Sequence, residues 1–294
     1  MRSQRPVPLM LAAILASGAL AACSNVAHDL PGDPPADAGA PTALGDGLRI
    51  RQINGPDSAV VNNQPNVFVT GAQYIIKDEY SETGLPSAVG DTYVQDFSAG
   101  GDGGGAPPYS GMLLYKPTLV PASLQLAPGD VIDFTGTYQQ YASSSFPSGQ
   151  FQPEIDEPIV TFRLDYSPPT PTVIPISDLA SYVTGFQWMS MLVTVHDTVG
   201  GGGSEDGEGR NTIFLTSDTG QDGVTMDNEL FALPWNLPQF NPDAGTVHFR
   251  SVTGVVTYFV SFHISPRSWA DIEIEGPDGG LIQLPGADGG VPGG

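Results

Sequence analysis

One cysteine, 10 basic side chains and almost no helical periodicity are the shortages in this chain of 294 residues. A single thiol leaves no partner for an intramolecular disulfide, so the fold has to rest on apolar cores. The scarcity of Lys and Arg, set against 32 acidic residues and a net charge of −22, argues against nucleic acid and anionic lipid surfaces as partners. Both are held chiefly by cations that neutralise phosphates. Catalytic signatures are missing as well: there is no H-E-x-x-H, no G-x-S-x-G and no G-x-x-x-x-G-K-[ST]. The expectation is a protein that is not an enzyme. What the chain has in plenty is turn formers, with 37 glycines and 28 prolines between short apolar stretches, and that combination predicts an all-β fold.

The N-terminus differs from the rest. Arg2 and Arg5 precede an apolar run from Pro6 to Ala22, about the length of a secretory signal and short for a membrane span of roughly 20 residues. It ends in Leu-Ala-Ala-Cys, which resembles the lipobox of bacterial lipoprotein signal peptides. The resemblance implies cleavage before Cys23 and acylation of that residue with fatty chains such as palmitate. Ser24, where inner-membrane retention would place an aspartate, implies an outer-membrane anchor, on the periplasmic or the cell-surface face. Residues 1–22 are then the signal peptide, and the mature chain carries 8 basic against 32 acidic side chains, net −24.

Residues 23–47 are rich in Pro, Gly and Asp without apolar periodicity and read as a disordered tether; residues 276–294 have the same character and read as a disordered tail. Between them the same order of signals is written twice. The first block, 48–167, holds "NVFVTGAQYII" (66–76), "TYVQDF" (92–97), "SGMLLYK" (110–116), "GDVIDFTGTYQQY" (129–141) and "PIVTFRL" (158–164). The second, 168–275, holds "MSMLVTVHD" (189–197), "NTIFLTSD" (211–218), "GVTMDNELF" (223–231), "GTVHFRSVTGVVTYF" (245–259) and "VSFHISP" (260–266). Ile132, Phe134, Gly136 and Tyr138 share one face of the fourth strand, and the glycine permits the bend of a strand curling round a small barrel. Thr135–Gly136 recurs as Thr253–Gly254 at an offset of 118. Proline-rich "SPPTPTVIPIS" (167–177) joins the blocks, and "ISDLASYV" after it predicts one short helical turn capped by Ser177.

Five strands with the glycine-bearing strand fourth is the order of an OB-type Greek-key barrel. Residues 66–141 in particular resemble the OB-like domains of bacterial extracellular nucleases and related exported proteins, which carry a "Y/F-x-Q-D" strand, a Gly/Asp-rich loop and a "G-D-x-V-x-V-x-G-x-V" strand. The second block keeps less of that pattern, chiefly "SVTGVVTYF" and "PRSWADI". No nuclease catalytic domain accompanies the blocks, so the resemblance implies fold and exported setting: two tandem five-stranded OB-like barrels behind a lipid anchor, and no activity.

Candidate sites are few. Tyr93, Tyr109 and Tyr115 with Lys116 are candidate ligand-face residues of the first block, since OB domains bind single strands through stacking aromatics and a basic groove. The block carries 5 basic and 13 acidic side chains, so core and rim packing is the stronger reading. Calcium is the one cofactor the pattern suggests. Asp218, Asp222 and Glu229 stand at positions one, five and twelve of an EF-hand-like spacing, with Gly220 and Met226 failing positions three and nine. Glu205 and Asp206 of the preceding loop could converge on them, although solvated Asp-Gly turns account for the same residues. His196, His248 and His263 sit in strand patterns, with no close ligand spacing. Glu154, Asp156 and Glu157 read as a charged rim. Trp188, Trp235 and Trp269 read as core, and exposure of Trp188 or Trp235 in a groove would point to carbohydrate. The functional expectation is a non-catalytic envelope adaptor with a protein or glycan partner, or else a calcium-dependent or carbohydrate-binding module. Cys23→Ser should move the protein from the membrane fraction to the soluble periplasmic fraction and abolish incorporation of labelled palmitate; retention in the membrane would refute the anchor.

Overall fold

The computed structural model describes residues 47–78, 91–97, 105–205, 211–217, 220, 223–231, 247–276, 278–282 and 284. The chain is all-β. The first sheet is built from β1 (Gln64–Lys77), β2 (Thr92–Asp96), β3 (Gly111–Tyr115), β4 (Thr118–Val120), β5 (Val131–Tyr141) and β6 (Gln152–Leu164). Pairings β1–β2, β2–β3, β5–β6 and β1–β5 are antiparallel, and the parallel pair β3–β6 closes these five strands into a barrel. β4 adds in parallel to β6 as an edge.

Alternation selects what the barrel encloses. Ile132 and Phe134 of β5 meet Val67, Val69, Val94, Met112, Leu114, Ile155 and Val160 in one apolar cluster. One end is plugged by the short helix α1 (Ile50–Asn54), whose Ile50 and Ile53 lie three apart and both face inward. Asp96 of β2 holds that plug: its carboxylate accepts from the amides of Ile50 (2.7 Å) and Arg51 (3.0 Å), supplying the acceptors that a helix N-terminus otherwise lacks. Burial raises the Asp96 carboxyl above its ordinary value, against the pull of those two hydrogen bonds.

The second sheet holds β7 (Thr172–Val173), β8 (Leu192–Glu205), β9 (Asn211–Ser217), β10 (Gly223–Asp227), β11 (Val247–Phe259), β12 (Ser261–Ser265), β13 (Ile272–Glu275) and β14 (Leu281–Ile282). Its pairings β8–β9, β9–β10, β11–β12 and β8–β11 are antiparallel and β10–β12 is parallel, a circuit of the same form as in the first sheet. Val193, Val195, Leu215, Phe249, Val252, Val256 and Ile264 fill its core, together with Trp188. Both sheets belong to one compact unit. A third cluster joins them, Ile75, Tyr93 and Leu113 from the first with Leu192, Leu230 and Val255 from the second.

Each of the ten strands expected from alternation has a counterpart, and the differences lie at ends and edges. β8 runs through the glycine run as far as Glu205, where a loop was expected. The tail expected from Gly276 instead turns back at first: β14 pairs with β13, and Leu284 is buried in the second core. The cap expected at Ser177 is also displaced. Residues Ile176–Leu179 form a single 3-10 turn behind Pro175, and the capping hydroxyl is Ser181, which accepts from the Thr184 amide (3.3 Å) at the start of α2 (Tyr182–Gly185). The N-terminal segment 1–46 lies outside the described residues.

Gly136 and Gly254 answer for the repeated Thr-Gly. A Cβ on Gly136 would stand 2.4 Å from Ile155 Cγ2 and 3.0 Å from the Asp156 carbonyl oxygen; one on Gly254 would stand 2.7 Å from Ile264 Cγ2 and from the Ser265 carbonyl oxygen. In both sheets the long strand bends here so closely over its neighbour that no side chain fits. Gly136→Ala should therefore destabilise the protein by about 1–3 kcal/mol, read as a lowered midpoint in urea unfolding. An unchanged midpoint would mean that the strand relaxes freely at this point.

Candidate ligand-binding cleft and the carboxylates behind it

A cleft of about 470 Å³, open mouth included, lies where the chain before β6 meets the second sheet. Its walls come from five places: Gln150; the turn from Leu179 to Tyr182; Phe214 of β9; Gly223, Val224 and Thr225 of β10; and Tyr258, Val260, Ser261 and Phe262 around the β11–β12 turn. The rings are fixed by one another. Tyr182 stacks on Phe262 at 6.2 Å with an interplanar angle of 21°, and Tyr258 packs at 5.3 Å from Tyr182 and 5.0 Å from Phe262. Phe214 is half exposed and lies across Gly223, where a Cβ would meet its ring at 2.2 Å. None of the lining side chains is charged.

Hydroxyls hold this cluster to the first sheet's connection. The Tyr182 hydroxyl donates to the Phe151 carbonyl oxygen (2.7 Å) and accepts from the Phe151 amide (3.0 Å). Tyr258 donates to Gln150 Oε1 or to the Val260 carbonyl oxygen. Burial pushes the Tyr182 hydroxyl up to about 12, so it remains a neutral donor at physiological pH. Val260, the single residue between β11 and β12, has φ +66°, a conformation that β-branched residues rarely adopt. Its strain is stored at the cleft's edge, where such strain is common in binding sites.

Behind the cleft runs a chain of polar groups. Ser261 Oγ lies 3.4 Å from His263 Nε2, His263 Nδ1 lies 2.8 Å from Asp227 Oδ2, and Ser265 donates to Asp227 Oδ1 at 2.6 Å. Ser265 contacts Thr257 Oγ1 at 3.2 Å, and Thr257 is hydrogen-bonded to Glu229, which also accepts from the Tyr93 hydroxyl at 3.4 Å. The outer contacts follow the order of a Ser-His-Asp triad. The serine contact is at the long limit of a hydrogen bond, and the second Asp227 oxygen is committed to Ser265, so the chain is an ordered network leading inward. The carboxylates at its inner end are strongly perturbed. Glu229, exposed at the surface, is pushed up to about 8, first by desolvation of its carboxyl and then by Asp227, Asp78 and Asp91. Glu154 is pushed up to about 7 by burial, then by Asp91 and Asp156. The Tyr93 hydroxyl is raised well above its ordinary value by burial and by Glu229.

The sequence-derived candidates do not form one face. Tyr93 is fully buried in the cluster between the sheets, which corrects its expected place on a ligand face. Tyr109 is half-buried and tilts against Phe186 at 6.3 Å. Tyr115 and Lys116 pair with each other on the outside, the ammonium 4.8 Å from the ring centre. Glu229 is exposed just after β10, its carboxylate 3.4 Å from the Tyr93 hydroxyl. Asp206, Asp218 and Asp222 and the side chain of Glu205 lie outside the described residues, as does Trp235. Trp188 is core, its indole N–H donating to Asp178 at 3.0 Å. Glu154, expected on a charged rim, is buried. His196 and His248 are exposed on β8 and β11. Among the described residues no group of three or more Asp, Glu, His or Cys side chains is arranged to hold a metal ion.

Sequence reasoning missed the cleft and the His263 network. Its one available signal was "SFHIS", which places Ser261, His263 and Ser265 on a single polar face of β12. Compared with family models, curated proteins and solved structures, the chain matches none. Tyr182→Phe removes the hydroxyl that bonds both backbone groups of Phe151 and should cost about 1–3 kcal/mol. Local hydrogen exchange at Gln150–Gln152 should quicken in that variant; unchanged exchange there would show that the hydroxyl does not hold this connection.

Proposed function

We propose that this protein is an exported, non-catalytic binding module, tethered to the outer membrane through lipid on Cys23, that holds a neutral saccharide in the Tyr182–Phe214–Tyr258 cleft. Both sheets are read as OB-like Greek-key barrels. That reading is supported by the strand circuit first–second–third–fifth–fourth–first with a parallel closure, found in each sheet. The exported setting rests on the lipobox-like segment before Cys23.

The observation that carries the function is the cleft's lining. On a chain of net charge −22, a concave surface walled by aromatic rings and by Gln150, Ser181, Thr225 and Ser261, with no charged side chain, is the exception. A polyanion would find no cation there, and calcium would find no carboxylate. Sugar rings present C–H faces that suit aromatic walls and hydroxyls that suit neutral donors and acceptors. A second reading, docking of an envelope protein on the first barrel's outer wall, is favoured by the exposed side chains Phe68, Ile159 and Val120 on neighbouring strands.

The test is a saturation-transfer NMR screen of neutral and acidic oligosaccharides, followed by calorimetric titration of the hits. Neutral saccharides should bind with little salt dependence, and Phe214→Ala should weaken them about tenfold, or ~1.4 kcal/mol. Binding confined to charged ligands, or binding indifferent to Phe214, would overturn the assignment; no binding at all would favour the protein-docking reading.

A further inference from the structure

The aromatic wall of the cleft does not stop at Tyr258. Next to it lies the connection between β5 and β6, which makes two successive turns: the Phe146 amide donates to the Ser143 carbonyl oxygen and the Gln150 amide to the Pro147 carbonyl oxygen, each at 3.0 Å. Phe146 packs edge-on against three rings, at 5.1 Å from Tyr258, 6.2 Å from Phe259 and 5.9 Å from Tyr141. Rings therefore run in unbroken contact from Tyr258 in the cleft through Phe146 to Phe259 and Tyr141. The outer two are half in water, Tyr141 at 48% and Phe259 at 51% exposure. Although the whole chain carries 32 acidic side chains, residues 141–151 and 258–262 contain no charged side chain, and Ser144, Ser145 and Ser148 are exposed among the rings. The connection is also fastened at its far end, where Tyr258 donates to Gln150 and the Tyr182 hydroxyl bonds both backbone groups of Phe151.

We propose that the cleft is one end of a longer binding strip for a linear neutral oligosaccharide, and that Tyr141, Phe146 and Phe259 form a second subsite on it. The inference rests on the saccharide reading of the cleft and adds the length of the ligand. A cleft of about 470 Å³, open mouth included, lies toward the small end of ligand sites and suits a short saccharide. Further units of the same chain have to leave over the rim, and the rim at Tyr258 is where aromatic contact continues. The surface there has the cleft's chemistry: ring surface for C–H faces, serine hydroxyls for sugar hydroxyls, and no fixed charge to desolvate. Edge-on packing and the two closed turns hold the rings in position before ligand arrives, so little conformational freedom is lost on binding. The strip draws on both halves of the chain, Tyr141 and Phe146 from the first sheet's β5 and the connection after it, Tyr258 and Phe259 from β11 of the second.

The experiment is calorimetric titration of the full chain with linear homologous series of glucose, mannose, xylose and N-acetylglucosamine, each from the monosaccharide to the hexasaccharide. In the series that binds, affinity should rise beyond the disaccharide by about tenfold and then level off. Tyr141→Ala and Phe259→Ala should each remove most of that gain while leaving disaccharide affinity unchanged, whereas Phe214→Ala should weaken short and long chains alike. Equal affinity for short and long chains in the wild type would overturn the strip and leave the cleft reading standing, and this result needs no variant to fold. A length gain that survives in both Tyr141→Ala and Phe259→Ala would place the extra contact elsewhere and overturn the strip as well. Absence of binding at every length would overturn the strip together with the saccharide reading.

Discussion

The contact of Ile75, Tyr93 and Leu113 with Leu192, Leu230 and Val255 is the constraint on which the rest depends. Each such side chain contributes roughly 1.5–3 kcal/mol when fully taken out of water, less the entropy of ordering it. Its importance lies in placement more than in size. Because these residues come from β1, β2, β3, β8 and β11 and from the turn after β10, they make the two sheets pack through one seam. Polar bonds then set the register of that seam: the Leu192 amide donates to Gln95 Oε1 at 3.3 Å, and the Tyr109 amide donates to the Gln187 carbonyl oxygen at 2.7 Å. The "YVQD" segment thus has a physical assignment for each polar residue, Gln95 across the seam and Asp96 at the start of α1.

The seam also explains why ionisable groups on an otherwise solvated acidic protein become interesting. A chain of net charge −22 can carry its carboxylates cheaply only where water screens them. Closing the sheets buries Asp78 and Tyr93, so the same packing that unites the halves raises the cost of charge between them. On the other side of β10 and β12 the packing leaves a cleft with no charge at all. Acidic exterior and neutral cleft follow from one arrangement of strands.

Much of the fold was legible because strand alternation is a local signal. Ile132, Phe134 and Tyr138 facing one way, with Gly136 between them, announced both the strand and its bend. The parts that escaped are those that only tertiary contact creates. β4 and β14 are three and two residues long, too short for a pattern, and β8 passes through glycines that read as loop in isolation. Ser177 and Ser181 are equally good caps by composition, and Pro175 with the 3-10 turn decided between them. The site was less legible still. Tyr93 is a plausible stacking ring until the second sheet covers it.

The central claim is that the two sheets are one cooperative structure held by this seam. Differential scanning calorimetry of the chain from about residue 48 onward at pH 6 tests it most directly. The account predicts a single transition whose calorimetric and van't Hoff enthalpies agree. Two separable transitions, or a van't Hoff enthalpy well below the calorimetric enthalpy, would mean that the sheets unfold independently and that the seam holds nothing together.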